Sequence, residues 1–251
     1  MELRDFFRDH RKAALAFSGG ADSAWLLWAG LDCGADILPC YVKSQFQPEF
    51  ELEDARRLCR ELGAELELIE LDVLSSPAVA ENPPERCYHC KSLIMSAVKR
   101  RAAEKGYALV IDGSNASDAA GDRPGMRALE EEGILSPLRL CGITKPELRA
   151  MSREAGLFTW SKPAYACLAT RIEPMVPIKV EDLKKIEAGE ALLAARGFSD
   201  LRLRLRSGGA LLQLTGEQLP RGRAELGEIK KLLSPWFEKV ELDEKEREKS
   251  L

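Results

Sequence analysis

The residues Leu15-Ala16-Phe17-Ser18-Gly19-Gly20-Ala21-Asp22-Ser23 constrain this chain most. The apolar run Ala13–Phe17 reads as a buried strand, which breaks into two glycines and then into a helix from about Asp22 to Gly30. A strand feeding a glycine turn and a helix start aims several unpaired amides at one point, with the positive end of the helix dipole behind them. Gly19 and Gly20 remove the Cβ atoms that would hold an anion away, and Ser18 and Ser23 add hydroxyl donors. Asp22 would repel a phosphate directly. It becomes sensible once Mg²⁺ stands between the carboxylate and the phosphate oxygens; in an ordinary turn it would simply cap the helix. No Gly-Lys-Ser/Thr follows the glycines and no GxGxxG is present, so neither the Walker A loop nor the dinucleotide fingerprint applies.

Around this loop the first half alternates strand-like and helix-like segments, which predicts an α/β fold with a doubly wound parallel sheet. Strands are expected at Ile37–Val42, Glu65–Leu74 and Ala108–Asp112. Helices are expected at Glu51–Leu62 and, after the loop ENPPERCYHC, at about Lys91–Lys105. Thr144 and Glu147 form a capping box for a helix ending near Gly156. The first domain is read as residues 1–172, with EPMVP as linker. A small α+β domain follows over 178–243 (helix, hairpin, helix, strand), and a frayed charged tail over 244–251.

The net charge of −4 and a pI near 5.5 argue against a strongly basic nucleic-acid binder. No apolar run approaches the roughly 20 residues of a membrane span. The opening MELRDFFRDHRKAALAF places charges where a signal peptide has its apolar core, so the expectation is a cytoplasmic protein without a membrane. Seven cysteines in a chain of 251 residues do not suggest a disulfide scaffold.

The SGGxDS pattern resembles the PP-loop of the ATP pyrophosphatase superfamily, which includes NAD and GMP synthetases, argininosuccinate synthetase and the thiolases of transfer RNA and cofactors. Three further segments, NPPERCYHCK, DGSNASDAAGDRPGMRALEEEGILSPL and TWSKPAYACLATRI, follow in the order found in the LarE family. Those sulfur transferases help build the nickel-pincer nucleotide of lactate racemase. The resemblance implies a PP-loop sheet of the adenine nucleotide alpha-hydrolase type, with ATP and Mg²⁺ as cofactors. It implies adenylation of a carboxylate on a small nucleotide-like substrate, a pyridinium-dicarboxylate mononucleotide, followed by sulfur insertion. By the same resemblance Ser18, Gly19, Gly20, Asp22 and Ser23 hold phosphates, and Asp112, Gly113, Ser114 and Asn115 line the nucleotide site at a strand end. Asp118, Arg123, Arg171, Arg202 and Arg204 meet substrate, Lys162 neutralises pyrophosphate, and Cys167 transfers sulfur. Taken alone, several of these are ordinary: Asp112-Gly113 is a turn, Lys162 a solvated lysine, and the Leu-Arg alternation of 201–206 a half-buried strand.

Cys87-Tyr88-His89-Cys90 is a CxxC, and Cys167 lies far off in sequence. Three cysteines can hold three irons of a [4Fe–4S] cluster and leave the fourth open for sulfide. Zinc with His89, or a redox pair with Cys167 as separate sulfur donor, are the other readings. Cys33, Cys40, Cys59 and Cys141 sit in apolar segments as core residues. The expected sulfur source is sulfide or a persulfide carrier, and the small domain is read as helping substrate binding and homo-oligomer assembly. The chain departs from the LarE pattern at Ile172-Glu173-Pro174, at Ala210-Leu211-Leu212-Gln213 and, after the retained Asp243, in its last eight residues. A transfer-RNA thiolase and an amide-forming ligase of the NAD-synthetase type are the rival readings.

Overall fold

Ala13, Ala14 and Leu15 have no accessible surface, which a strand achieves only when both faces of its sheet are covered. The computed structural model describes residues 2–118, 124–207 and 209–249; Arg123 lies outside them. The chain divides into two units, Met1–Ser75 with Glu85–Lys162, and Ser76–Pro84 with Pro163–Leu251.

The first unit runs α1 (Leu3–Asp9), β1 (Lys12–Ala16), α2 (Ala21–Asp32), β2 (Asp36–Lys43), α3 (Glu49–Leu62) and β3 (Glu67–Glu70). A short α4 (Pro77–Ala80) belongs to the second unit; then come α5 (Arg86–Glu104), β4 (Val110–Asp112), α6 (Pro124–Glu131), α7 (Pro137–Leu140) and α8 (Lys145–Glu154). The four strands are parallel in the order β3-β2-β1-β4, with Ala16 of β1 beside Asp112 of β4. The chain leaves β1 toward β2 on one side and returns to β4 on the other. The crevice where this order reverses lies at the carboxyl ends of β1 and β4. Phe6, Phe7, Leu15, Trp25, Leu26 and Leu58 build one core layer, and Ala14, Met95, Val98 and Val110 the other.

The expected capping box forms: the Thr144 amide and hydroxyl both reach Glu147 Oε2, at 2.8 and 2.6 Å. One boundary differs. Pro83 and Pro84 stop any earlier helix, but Glu85 caps α5 at Arg86, so Cys87 and Cys90 lie in the first turns of that helix and not in the loop before it.

The second unit contains α9 (Val180–Ala195), β5 (Arg202–Arg206), β6 (Gly209–Gln213), α10 (Leu219–Ala224), α11 (Leu226–Leu233) and β7 (Val240–Leu242). The β5–β6 hairpin is antiparallel and β7 adds parallel to β6. Residues 163–172 fold with this unit because Arg171 is ion-paired to Glu190 of α9. Residues 76–84 do so through Asn82, whose Nδ2 donates to the carbonyls of Glu173 and Val176 at 2.7 and 3.1 Å. The break therefore falls at Lys162–Pro163, ahead of EPMVP. Nor is the charged tail loose over 244–249: the Arg247 amide donates to Leu214 O at 2.9 Å and its guanidinium pairs with Asp200 at 2.6 Å.

Candidate active site

In the first unit, Gly19 takes φ +70, and a Cβ there would lie 3.1 Å from Glu51 O and 3.2 Å from Ala55 Cβ on α3. Glycine thus meets both the left-handed backbone and the close helix behind it. Ser18 and Ser23 lock the turn: their hydroxyls are 3.1 Å apart, the Gly20 amide donates to Ser18 Oγ at 3.3 Å, and Ser23 Oγ donates to Gly20 O at 3.2 Å. Gly20 precedes α2, and no side chain caps that helix. Its first-turn amides and positive dipole end therefore face the crevice as an anion site.

At the end of β4, Asp112 is buried and accepts from the hydroxyls of Ser114 and Ser136, each at 2.6 Å. A Cβ on Gly113 would come within 2.9 Å of the Ser23 amide and 3.1 Å of Ser23 Cα. This contact brings β4 against the loop, so Gly113→Ala must push the two apart. Weakening of ATP binding by at least about tenfold is expected, measurable by calorimetry against a fold control by circular dichroism. Asn115 and Asp118 shape the turn that follows. Asn115 Oδ1 accepts from the Ser117 amide at 2.8 Å and Asp118 Oδ2 from the Asn115 amide at 2.9 Å.

The sequence reading did not single out Lys145. Its ammonium lies 2.7 and 2.6 Å from the two Asp22 oxygens, with both side chains largely shielded. The Lys145 amide meets Ser117 Oγ at 2.9 Å, which ties the α8 start to the β4 turn. Lysine, loop amides and hydroxyls have the donor chemistry a triphosphate calls for, and the aspartate that of a ligand to its cation. Asp22 suits Mg²⁺, which is held through one or two carboxylates plus phosphate oxygens and keeps its remaining positions for water. Lys162 is ion-paired with Asp54 of α3 at 2.7 Å, one residue from the Ala55 that backs Gly19.

Cys167 belongs to the second unit. It is half-buried and its carbonyl is gripped by Thr170 N, Thr170 Oγ1 and Arg171 Nη1 at 3.0, 2.8 and 3.3 Å. Arg171, expected to meet substrate, is wholly buried; it forms a two-pronged pair with Glu190 at 2.9 and 3.0 Å and donates to Ala166 O at 2.6 Å. Glu190 also accepts from Tyr165 Oη at 2.6 Å and the Leu203 amide at 2.9 Å. Arg202 is buried too and donates to Ala164 O at 2.9 Å, supporting the same segment. Burial, then the charges of Arg171 and Arg247, pull it down to about 10, so it stays cationic at neutral pH. Arg204 is half-buried; it bonds Thr170 O at 2.7 Å and Gln213, which in turn reaches Asp243 at 2.7 Å. These arginines position the cysteine segment, and Arg204 alone of the three keeps substantial exposure.

Cys87 is exposed on α5, with Arg86 Nη2 3.5 Å from its sulfur, and Cys90 is half-buried one turn on. Among the described residues no three His, Cys, Asp or Glu side chains come together as a metal-binding group; Cys87 and Cys90 belong to the first unit and Cys167 to the second. None of the seven cysteines is in a disulfide. Burial pushes the Cys40 and Cys59 thiols up to about 12. Iodoacetamide at pH 8 should therefore modify Cys87 first and leave Cys40 and Cys59 untouched until unfolding, as peptide mass mapping would show. Because both folded values lie above the ordinary 9.0, the unfolded chain loses these protons first. Stability then falls as pH rises from 9 toward 12.

Comparison with known proteins agrees with this geometry. No family model matches the chain. It is similar to pyridinium-3,5-bisthiocarboxylic acid mononucleotide synthase of Lactiplantibacillus plantarum, at 32% identity over 82% of this chain and 76% of that one. It is similar to an uncharacterised protein of Synechocystis sp., at 35% identity over 86% of this chain and 81% of the relative. A third match, at 31% identity over 95% and 91%, is an uncharacterised protein of Methanocaldococcus jannaschii. The solved structure of NMN synthetase from Francisella tularensis shares the fold, with a TM-score of 0.52 and 18% identity over 64% of this chain and 70% of that one. Fold and loop define the class, that of ATP-using enzymes of the PP-loop pyrophosphatase type. Within that class the chain belongs to the LarE family, that of the Lactiplantibacillus synthase. No helix among the described residues is long and apolar enough to cross a membrane.

Proposed function

We propose that this enzyme adenylates a carboxylate of a small nucleotide-like substrate, a pyridinium-dicarboxylate mononucleotide, and replaces a carboxylate oxygen with sulfur. The observation that carries the reading is the Asp22–Lys145 pair at the mouth of the amide-lined loop. It sets a carboxylate for Mg²⁺ and a cation for phosphate beside the α2 start. Mg²⁺ neutralises phosphate charge when bound. Ser18, Gly19, Gly20 and Ser23 hold the triphosphate tail, and Asp112, Gly113, Ser114 and Asn115 shape the wall beside it. Lys162 supplies a further charge for the leaving pyrophosphate once Asp54 releases it.

A carboxylate is a poor electrophile because an oxide or hydroxide leaves badly. Attack of its oxygen on the α-phosphorus expels pyrophosphate and gives a mixed anhydride. The Cys167 thiolate then attacks the acyl carbon, and AMP leaves with the bonding pair. Fixed donors lower both barriers by holding charge where it develops. To complete the transfer from Cys167 itself, its Cβ–S bond must break as the α-proton is lost, which leaves dehydroalanine. A cluster on Cys87, Cys90 and Cys167, or a persulfide carrier, would spare the cysteine.

The experiment is a single turnover with ATP, Mg²⁺ and the pyridinium-dicarboxylate mononucleotide, under anaerobic conditions with iron and sulfide analysis. AMP, pyrophosphate and a thiocarboxylate are expected from the native enzyme, and AMP and pyrophosphate without thiocarboxylate from Cys167→Ala. A protein lighter by H₂S marks Cys167 as the sulfur source, and an unchanged mass marks an external one. Absence of substrate-dependent AMP contradicts the proposal.

A further inference from the structure

We propose that the small unit carries a second ligand site, for a planar aromatic ring bearing one carboxylate or phosphate group. The site is a cavity of about 510 Å³ between the β5–β6 hairpin and the segment joining α11 to β7. That volume falls in the range of small-molecule sites. Leu205 and Pro235 contribute apolar lining, and Trp236, with 41% of its surface exposed, lines it as well.

The backbone that carries Trp236 is held in place. The amides of Trp236 and Phe237 both donate to Leu233 O at 3.0 Å, closing the end of α11, and Phe237 is anchored in the core. Pro235 stiffens the approach. A tryptophan on a segment whose backbone is tied down, with 41% of its surface exposed, offers aromatic area for stacking.

Two cations flank it. Lys185 is exposed on α9 and has no carboxylate partner among the described residues. Arg206 pairs with Glu173 at 3.2 Å, but with side chains 36% and 48% exposed that pair is weak and yields readily to an incoming anion. Glu238 also lines the cavity and holds its net positive charge low. The set therefore fits an aromatic acid of low charge better than a triphosphate: ring on Trp236, acid group on Lys185 and Arg206. The proposal stands independently of the adenylation reading, since none of these residues enters it.

The test is calorimetric titration of the full chain with nicotinate mononucleotide, AMP, nicotinate and ribose 5-phosphate, with Trp236 emission followed in parallel. Binding is expected for at least one ring-bearing acid, with its identity distinguishing carboxylate from phosphate recognition, and none for ribose 5-phosphate. It should persist in Asp22→Ala, weaken at least tenfold in Lys185→Ala/Arg206→Ala, and lose its fluorescence change in Trp236→Phe. All replaced side chains are exposed or half-exposed, so the melting curves should match the native protein. Binding unaffected by the double variant, a fluorescence change that survives Trp236→Phe, or no binding of any ring-bearing acid would overturn the site. Loss of binding in Asp22→Ala alone would instead place the ligand at the phosphate loop and equally overturn it.

Discussion

Replacing Asp22 by Ala should lower the rate of pyrophosphate release by at least about 100-fold, with little change in folding stability. Asp22 is the loop's one carboxylate, it is half-buried, and among the described residues its oxygens are committed only to Lys145. In the proposed reaction, removing it takes away the carboxylate that would share Mg²⁺ with the phosphates and leaves Lys145 free to sit on a phosphate directly. Substrate binding is thus weakened less than the chemical step. Lys145→Ala should act in the same direction by about 10- to 100-fold, since it removes a positive charge where negative charge builds up. Ser18→Ala should cost less, because the loop keeps its backbone amides. Steady-state kinetics on the three variants would show the ordering. A Lys145→Ala enzyme of native rate would place that lysine outside the phosphate site.

The second large effect concerns stability. Glu190→Ala leaves the guanidinium of Arg171 buried without its carboxylate and also strips partners from Tyr165 and the Leu203 amide. Breaking a buried pair from one side costs about 3–5 kcal/mol. Glu190→Gln keeps the shape and the acceptor for Leu203 and should cost distinctly less. Chemical denaturation followed by circular dichroism measures both. Because Arg171 grips the carbonyls of Ala166 and Cys167, the same variants should alter the rate at which Cys167 is alkylated, while Cys87 on α5 keeps its native rate.

The opening strand, the glycine turn, the helix after it and the Thr144 capping box were legible because each is written in contiguous residues whose backbone needs are local. The loop's ion partner was not. Lys145 lies 123 positions from Asp22, and in sequence it is one more charged residue at a helix start. Glu190 reads as an ordinary acid in α9; only the fold turns it toward Arg171 and Tyr165. Arg171 and Arg202 look like substrate ligands in a motif, and the sequence does not show that both are buried and donate to backbone carbonyls of the cysteine segment. The domain break shifts to Lys162–Pro163 for the same reason: side-chain bonds from Asn82 and Arg171 decide which unit a segment joins, and composition does not record them.

If the loop between β1 and α2 directs attack to the α-phosphorus of ATP, phosphorus NMR of ATP consumed with Mg²⁺ and a pyridinium-dicarboxylate mononucleotide should show AMP and pyrophosphate in equal amounts. Both should be lost in Asp22→Ala. Release of ADP and inorganic phosphate by the native enzyme would contradict that direction of attack.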